Sequence, residues 1–99
     1  MKKTLLVLAL LGAGFSAHAQ TVVKIGHAGP LTGPAAHFGK DGENGARLAV
    51  EDANAQNPKI GGQEVKFELV SEDDQADPRT ATTVAQRLTD GGVKGVVGH

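Results

Sequence analysis

The 99-residue chain contains no cysteine. This rules out disulfides, a thiol nucleophile and a lipid-attachment thiol behind an export signal. Beyond Lys2 and Lys3 no lysine or arginine cluster occurs, so the electrostatic footprint of nucleic-acid or anionic-membrane binding is missing. Serine is scarce as well. After residue 19 only Ser71 remains, with no histidine close to it in sequence, so no nucleophile-and-base pair is visible. Long apolar runs are also lacking: the stretch from Leu5 to about Phe15 falls short of the roughly 20 residues that cross a bilayer. There is no internal repeat and no low-complexity segment.

That short run is the middle of an export signal. Lys2 and Lys3 form a positive start, Leu5 to Leu11 an apolar centre, and Ala17-His18-Ala19 the small-x-small pattern that precedes a cleavage site. Residues 1–19 are therefore read as a signal peptide cleaved after Ala19, and the mature chain as a periplasmic one beginning at Gln20. Removing nineteen of the 99 residues leaves 80, a size that buries only roughly 60–65% of its unfolded surface. One small domain is the upper limit. Without Lys2 and Lys3, eight basic residues face eleven acidic ones, a net charge of −3.

Periodicity alternates between strand and helix. Val22 to Ala28 is a short, mostly apolar run with β-branched residues, as in a strand covered on both faces. Gly33 then suits a helix N-cap and Pro34 the first helical position. The helix carries Gly42, Gly45, Ala46, Ala49, Val50 and Ala53 as a small, apolar stripe, and Asn57-Pro58 ends it. After Gly61-Gly62, the alternation of Val65 to Val70 predicts a second strand at the edge of the sheet. Asp77 and Pro78 open a second helix with Ala81, Val84, Ala85 and Leu88 inward, and Gly91-Gly92 stops it. Lys94 to Gly98 forms a third strand. The order β-α-β-α-β predicts an α/β fold with a parallel sheet, its strands in the order 2-1-3.

In such sheets ligands collect beyond the carboxyl ends of the strands. The loop Gly29-Pro30-Leu31-Thr32-Gly33-Pro34 stands there, leading into a helix whose first N–H groups favour an anion such as a carboxylate. A plain strand-to-helix turn explains the six residues equally well. Spacing argues against nucleotides. The glycines at 26, 29 and 33 do not make G-x-G-x-x-G, and a phosphate loop ending at Gly39-Lys40 would put Pro34 at its first glycine and Asp41 at its Ser/Thr. His27, His37 and His99 are too scattered for a metal-ligand spacing and read as ordinary strand or surface histidines, while His18 leaves with the signal. The acidic cluster Glu72, Asp73, Asp74 and Asp77 fails as a calcium loop, because Gln75 and Pro78 replace an acidic ligand and the turn glycine. It reads as a solvated turn whose last member caps a helix.

Lys24-Ile25-Gly26-His27-Ala28-Gly29-Pro30-Leu31-Thr32-Gly33-Pro34-Ala35-Ala36-His37-Phe38-Gly39, then Asn44 to Val50 and Asp52-Ala53-Asn54, resemble the start of the leucine/isoleucine/valine-binding proteins. Those are periplasmic receptors of ABC transporters for branched-chain amino acids. Asp73-Asp74-Gln75-Ala76-Asp77-Pro78 and Val96-Val97-Gly98-His99 resemble the family's next two landmarks, in order, so the likeness covers the whole mature chain.

The resemblance implies two α/β lobes of the type I periplasmic-binding-protein kind, closing on an amino acid, with residues 20–99 as the opening portion of the first lobe. It implies no enzyme, no cofactor and no bound metal. The partners it implies are the amino acid and the membrane permease subunits of the importer, with no nucleic acid; the complete receptor would be a monomer. The groups that grip the ligand's carboxylate and ammonium would lie beyond His99, so residues 20–99 alone are expected not to bind. Phe38 matches the position where relatives set an aromatic ring against the ligand's side chain. Read without the resemblance, Phe38 lies eleven residues before Ala49, on the helix stripe, and plugs the top of the sheet. Ala76 departs from the family, several members of which carry a disulfide-forming cysteine there. A receptor for amides, urea-like compounds or small aromatic acids fits the same residues. A small exported flavodoxin-like or nucleotide-dependent enzyme domain shares the β-α-β-α-β order.

Intact-mass analysis of the exported protein should give a chain starting at Gln20; a mass that retains Met1 to Ala19 would overturn the cleavage assignment.

Overall fold

A computed structural model describes residues 20–98. The export segment, with its cleavage site, and His99 lie outside the described residues. The elements are β1 (Thr21–Gly29), α1 (Ala36–Ala55), β2 (Lys59–Ile60), β3 (Gln63–Asp73), α2 (Pro78–Asp90) and β4 (Gly95–Gly98). Among the described residues no helix is long and apolar enough to cross a membrane.

The four strands form one sheet in the order β2-β3-β1-β4. β1 pairs in parallel with β3 from Thr21 opposite Val65 to Gly29 opposite Asp73, and in parallel with β4 from Ile25 opposite Gly95 to Ala28 opposite Gly98. β2 runs antiparallel to β3, Lys59 opposite Glu64 and Ile60 opposite Gln63. This corrects the expected all-parallel sheet of order 2-1-3: the sheet is mixed, has a fourth strand, and β3 is not its edge. The cause is local. Gly61 and Gly62 both have positive φ (59° and 79°), the two-residue hairpin geometry whose twist matches paired strands, so Lys59-Ile60 folds back as a short edge strand.

Successive residues of β1 point to opposite faces. A Cβ on Gly26 would meet Leu88 of α2 at 3.2 Å, whereas His27 reaches towards Gly42 of α1, so the two helices cover opposite faces. The face under α2 holds the packed core: Ala28, Val84 and Leu88 are buried, with Val70 and Val93 against them. α2 begins as its sequence predicts, Asp77 Oδ2 accepting from the Thr80 N–H at 2.9 Å with Pro78 in the first turn. Gly92, at φ 80°, supplies the left-handed turn after it.

The other face is looser. The small side chains of α1 leave an open apolar groove of about 430 Å³ between Ala46, Ala49 and Val50 and the sheet residues Ile25, Phe67 and Leu69. Only Gly39 of α1 is buried, so the stripe faces the sheet without filling the gap. Directional bonds hold the helix instead. Asn54 donates from Nδ2 to the Phe67 carbonyl and accepts from the Phe67 N–H, both at 2.8 Å. At the other end Gly39 packs on Pro30 so closely that a Cβ would stand 1.6 Å from the Pro30 carbonyl oxygen.

Gly39→Ala must therefore push α1 off the loop and should cost about 2–3 kcal/mol in urea unfolding. Gly45→Ala, where an added Cβ meets nothing within 4 Å, should stabilise by about 0.5–1 kcal/mol through helix propensity. Equal effects at the two sites would refute the close contact.

Candidate functional site

The carboxyl ends of β1 and β3, the loop from Gly29 to Ala35 and the first turns of α1 make one corner of the molecule. Register puts Asp73 opposite Gly29. From there its carboxylate accepts from the Leu31 N–H (2.8 Å), the Thr32 hydroxyl (2.6 Å) and the Gln75 N–H (2.9 Å). The Asp74 N–H adds a backbone bond to the Gly29 carbonyl at 3.0 Å. The loop is thus tied to the acidic turn, a role that the reading of this cluster as merely solvated did not include. Asp74 Oδ1 accepts from the Ala76 N–H at 2.9 Å and Asp77 caps α2, so side-chain bonds shape the turn around Ala76.

Helix α1 starts two residues later than expected. Gly33 takes φ 85° and its carbonyl accepts from the Ala36 N–H at 3.1 Å, making a turn that carries Pro34; Ala35 is the N-cap and has no capping side chain. Gly33 is required for a left-handed backbone, not as a cap.

The corner encloses a recess of about 180 Å³, lined by His27, Ala28, Gly29, Pro30, Phe38, Gly39, Gly42 and Gly98. Complete small-molecule sites span roughly 300–1,000 Å³, so this recess has the size of part of one. Phe38 is 72% exposed and its ring centroid lies 4.0 Å from that of His37, tilted by 38°. The ring therefore does not plug the sheet; it stands at the rim. One residue decides this, because it is the neighbouring Gly39 that turns inward onto Pro30.

His37 is exposed, as expected of a surface histidine, and His99 lies outside the described residues. His27 is only 3% exposed and has partners that sequence distance concealed. Its Nδ1 is 3.0 Å from Ser71 Oγ, 44 residues away, and Ser71 Oγ donates to Glu43 Oε2 at 2.5 Å. Ser71 thus has a histidine beside it after all. The acid, however, contacts the serine and not the imidazole, which is not the order that activates a serine nucleophile. The Ser71 hydrogen bond is the main reason that the Glu43 carboxyl is held below its usual value, with Lys40 and Arg47 assisting. The Thr32 hydroxyl does the same for Asp73, and the Thr80 N–H for Asp77.

A lowered carboxyl stabilises the fold above its unfolded value and loses that contribution as pH falls through the folded one. The tether at Asp73 should therefore persist at neutral pH and loosen only below its ordinary value of 3.8. Amide exchange at Leu31 should stay slow down to that range and should be fast at neutral pH in Asp73→Ala; unchanged exchange in the variant would remove Asp73 from this role.

Comparison with known proteins agrees with this architecture. A family model described as periplasmic binding protein matches residues 22–99. The leucine-, isoleucine-, valine-, threonine-, and alanine-binding protein of Pseudomonas aeruginosa is 42% identical over 89 residues, 88% of this chain and 23% of that protein. The branched-chain amino acid transporter substrate binding protein of Streptococcus pneumoniae, solved in complex with isoleucine, superposes with a TM-score of 0.69 at 32% identity, over 80% of this chain and 22% of its own. A solute binding protein of an ABC transporter from Rhodopseudomonas palustris, solved with 3,4-dihydroxy benzoic acid, gives a TM-score of 0.59 at 26% identity over 76% of this chain and 20% of its own. The chain spans about a quarter of the length of the curated relatives it matches. With a family model matching most of its length and a relative 42% identical over 88% of it, the chain belongs to the periplasmic binding protein family.

Proposed function

We propose that this chain forms one wall of the solute cleft of a periplasmic receptor that delivers branched-chain amino acids to an ABC importer, and that it is not an enzyme. The observation that carries this is Phe38. It is a large apolar ring held exposed at the rim of a recess, at the strand ends where α/β sheets bind ligands, on a chain whose relatives include leucine-, isoleucine- and valine-binding proteins. A rigid aromatic surface facing open space suits an aliphatic side chain, which gains from burial without needing hydrogen bonds. The recess is open to solvent beside the ring, so a solute resting on it would need further groups to cover its other side. The partners on this reading are the amino acid and the permease subunits of the importer, and the receptor works in the periplasm after loss of residues 1–19.

A second reading has its own support: a relative of the same fold holds 3,4-dihydroxy benzoic acid, and Phe38 would stack on an aromatic acid as readily. Calorimetry separates the two. Residues 20–99 alone should show no micromolar binding of L-leucine. A longer protein carrying this segment and a second lobe should bind L-leucine, L-isoleucine or L-valine, and Phe38→Ala should weaken binding about tenfold, or about 1.4 kcal/mol. Preference for a benzoic acid would favour the second reading, and unchanged leucine affinity in Phe38→Ala would remove the ring from the site.

A further inference from the structure

Phe38 and Gly42 stand four residues apart in α1, on one face of the helix and one turn from each other, and both line the recess. Side chains on a helix lean towards its N-terminus, so any side chain at position 42 would lean towards the Phe38 ring and into the recess. Glycine leaves that space open. Beyond its chain neighbours and the helix backbone, a Cβ at Gly42 would meet one described atom within 4 Å, His27 Nε2 at 3.6 Å.

The fold itself does not need a glycine there. The Gly42 backbone is helical, without a positive φ, and 3.6 Å is an ordinary contact distance. A helix interior favours alanine over glycine, so the missing Cβ weakens α1 without relieving any contact. Gly39, three residues earlier, is different, because a Cβ there would strike the Pro30 carbonyl. Gly42 is also exposed, so a solute can reach it. Around this point the recess has the Phe38 ring on one side and the His27 imidazole on the other, with Gly29 at the end of β1 adding no side chain of its own. A hydrocarbon group seated there leaves water for the face of an aromatic ring, which favours it in proportion to the area covered.

We infer that Gly42 is a specificity-determining residue of the recess: the space over it, between Phe38 and His27, takes the branched end of an aliphatic solute, and a side chain at position 42 would limit the recess to shorter ones. This rests on the reading of the recess as part of a solute site. His27 serves here only as a wall, and the charged ends of the solute have no part in the contact.

3-Methylbutan-1-ol carries the branched end of leucine without an ammonium or a carboxylate, so it reads this space alone. In proton–nitrogen NMR titrations of the full 99-residue chain, the Gly39 and Gly42 amides should shift saturably at millimolar alcohol, with NOEs from the methyl groups of the probe to the Phe38 ring. Gly42→Ala should weaken that binding about tenfold, whereas propan-1-ol, which has no branched end, should bind both proteins alike. Gly45→Ala, on the same helix but facing the open groove, should leave both titrations unchanged at these signals. The two variants gain the same helix propensity, so a merely structural effect would appear in both. Unchanged binding of the branched alcohol in Gly42→Ala, equal losses in both variants, shifts confined to Ile25, Phe67 and Leu69 along the groove, or no saturable shift at all would each overturn the inference. If the alcohol seats over Gly42 while the longer protein fails to bind L-leucine, the receptor reading falls and the role of Gly42 stands. If the longer protein binds L-leucine and Gly42→Ala leaves its preference for L-leucine over L-alanine unchanged, the role of Gly42 falls and the receptor reading stands.

Discussion

Helix α1 is held over the sheet by directional polar bonds and one close backbone contact rather than by interdigitated side chains, and the shape of the recess depends on that. Its inward stripe is glycine and alanine, too short to fill the space above Ile25, Phe67 and Leu69, so dispersion contacts on this face are few. Three anchors substitute for them: Gly39 on Pro30 at one end, Glu43 through Ser71 to His27 in the middle, and Asn54 on the Phe67 backbone at the other end. Hydrogen bonds fix direction as well as distance. A helix held this way keeps its rotation, and the rotation that buries Gly39 is the one that exposes Phe38.

The loop before α1 is governed by the same economy of contacts. Two of its six residues are glycine, and Asp73 from the neighbouring strand accepts from its Leu31 N–H and its Thr32 hydroxyl. Because Asp73 also bonds the Gln75 N–H, one carboxylate joins the end of β1 to the turn that leads to Asp77 and α2. The recess is therefore framed by β1, the loop and the start of α1, and the loop is coupled through a few polar atoms to the turn that opens α2.

Local chemistry was legible in the sequence and contacts between distant residues were not. Asp77-Pro78 announced the start of α2 because a cap needs only residues three apart, and Asp77 does accept from Thr80. The run Val22 to Ala28 announced β1, and Asn57-Pro58 the end of α1, for the same reason. The mixed sheet has only a faint signal in the sequence. Gly61-Gly62 is a two-residue hairpin loop, yet two strand residues, Lys59 and Ile60, are too few to show periodicity. Gly33 reads as a cap because a glycine before a proline serves a cap and a left-handed turn equally well, and only φ separates them. Phe38 shares its helical phase with the stripe, but the first turn of a helix projects past the end of the sheet, where no neighbour covers it.

Taken alone, the sequence determined the alternation of strand and helix, the absence of thiol chemistry, and the match over residues 22–99 that places the chain in its family. These depend on residue type and short spacing, which folding does not alter. Tertiary structure decided the rest. Asp73 reaches a loop 41 and 42 residues away, Ser71 reaches Glu43 across 28 residues and His27 across 44, and no propensity encodes those meetings. They arise because parallel pairing aligns His27 with Ser71 and Gly29 with Asp73, and because α1 crosses above both strands. The register of β1 against β3 is the physical step that brings scattered polar residues to one corner of the molecule.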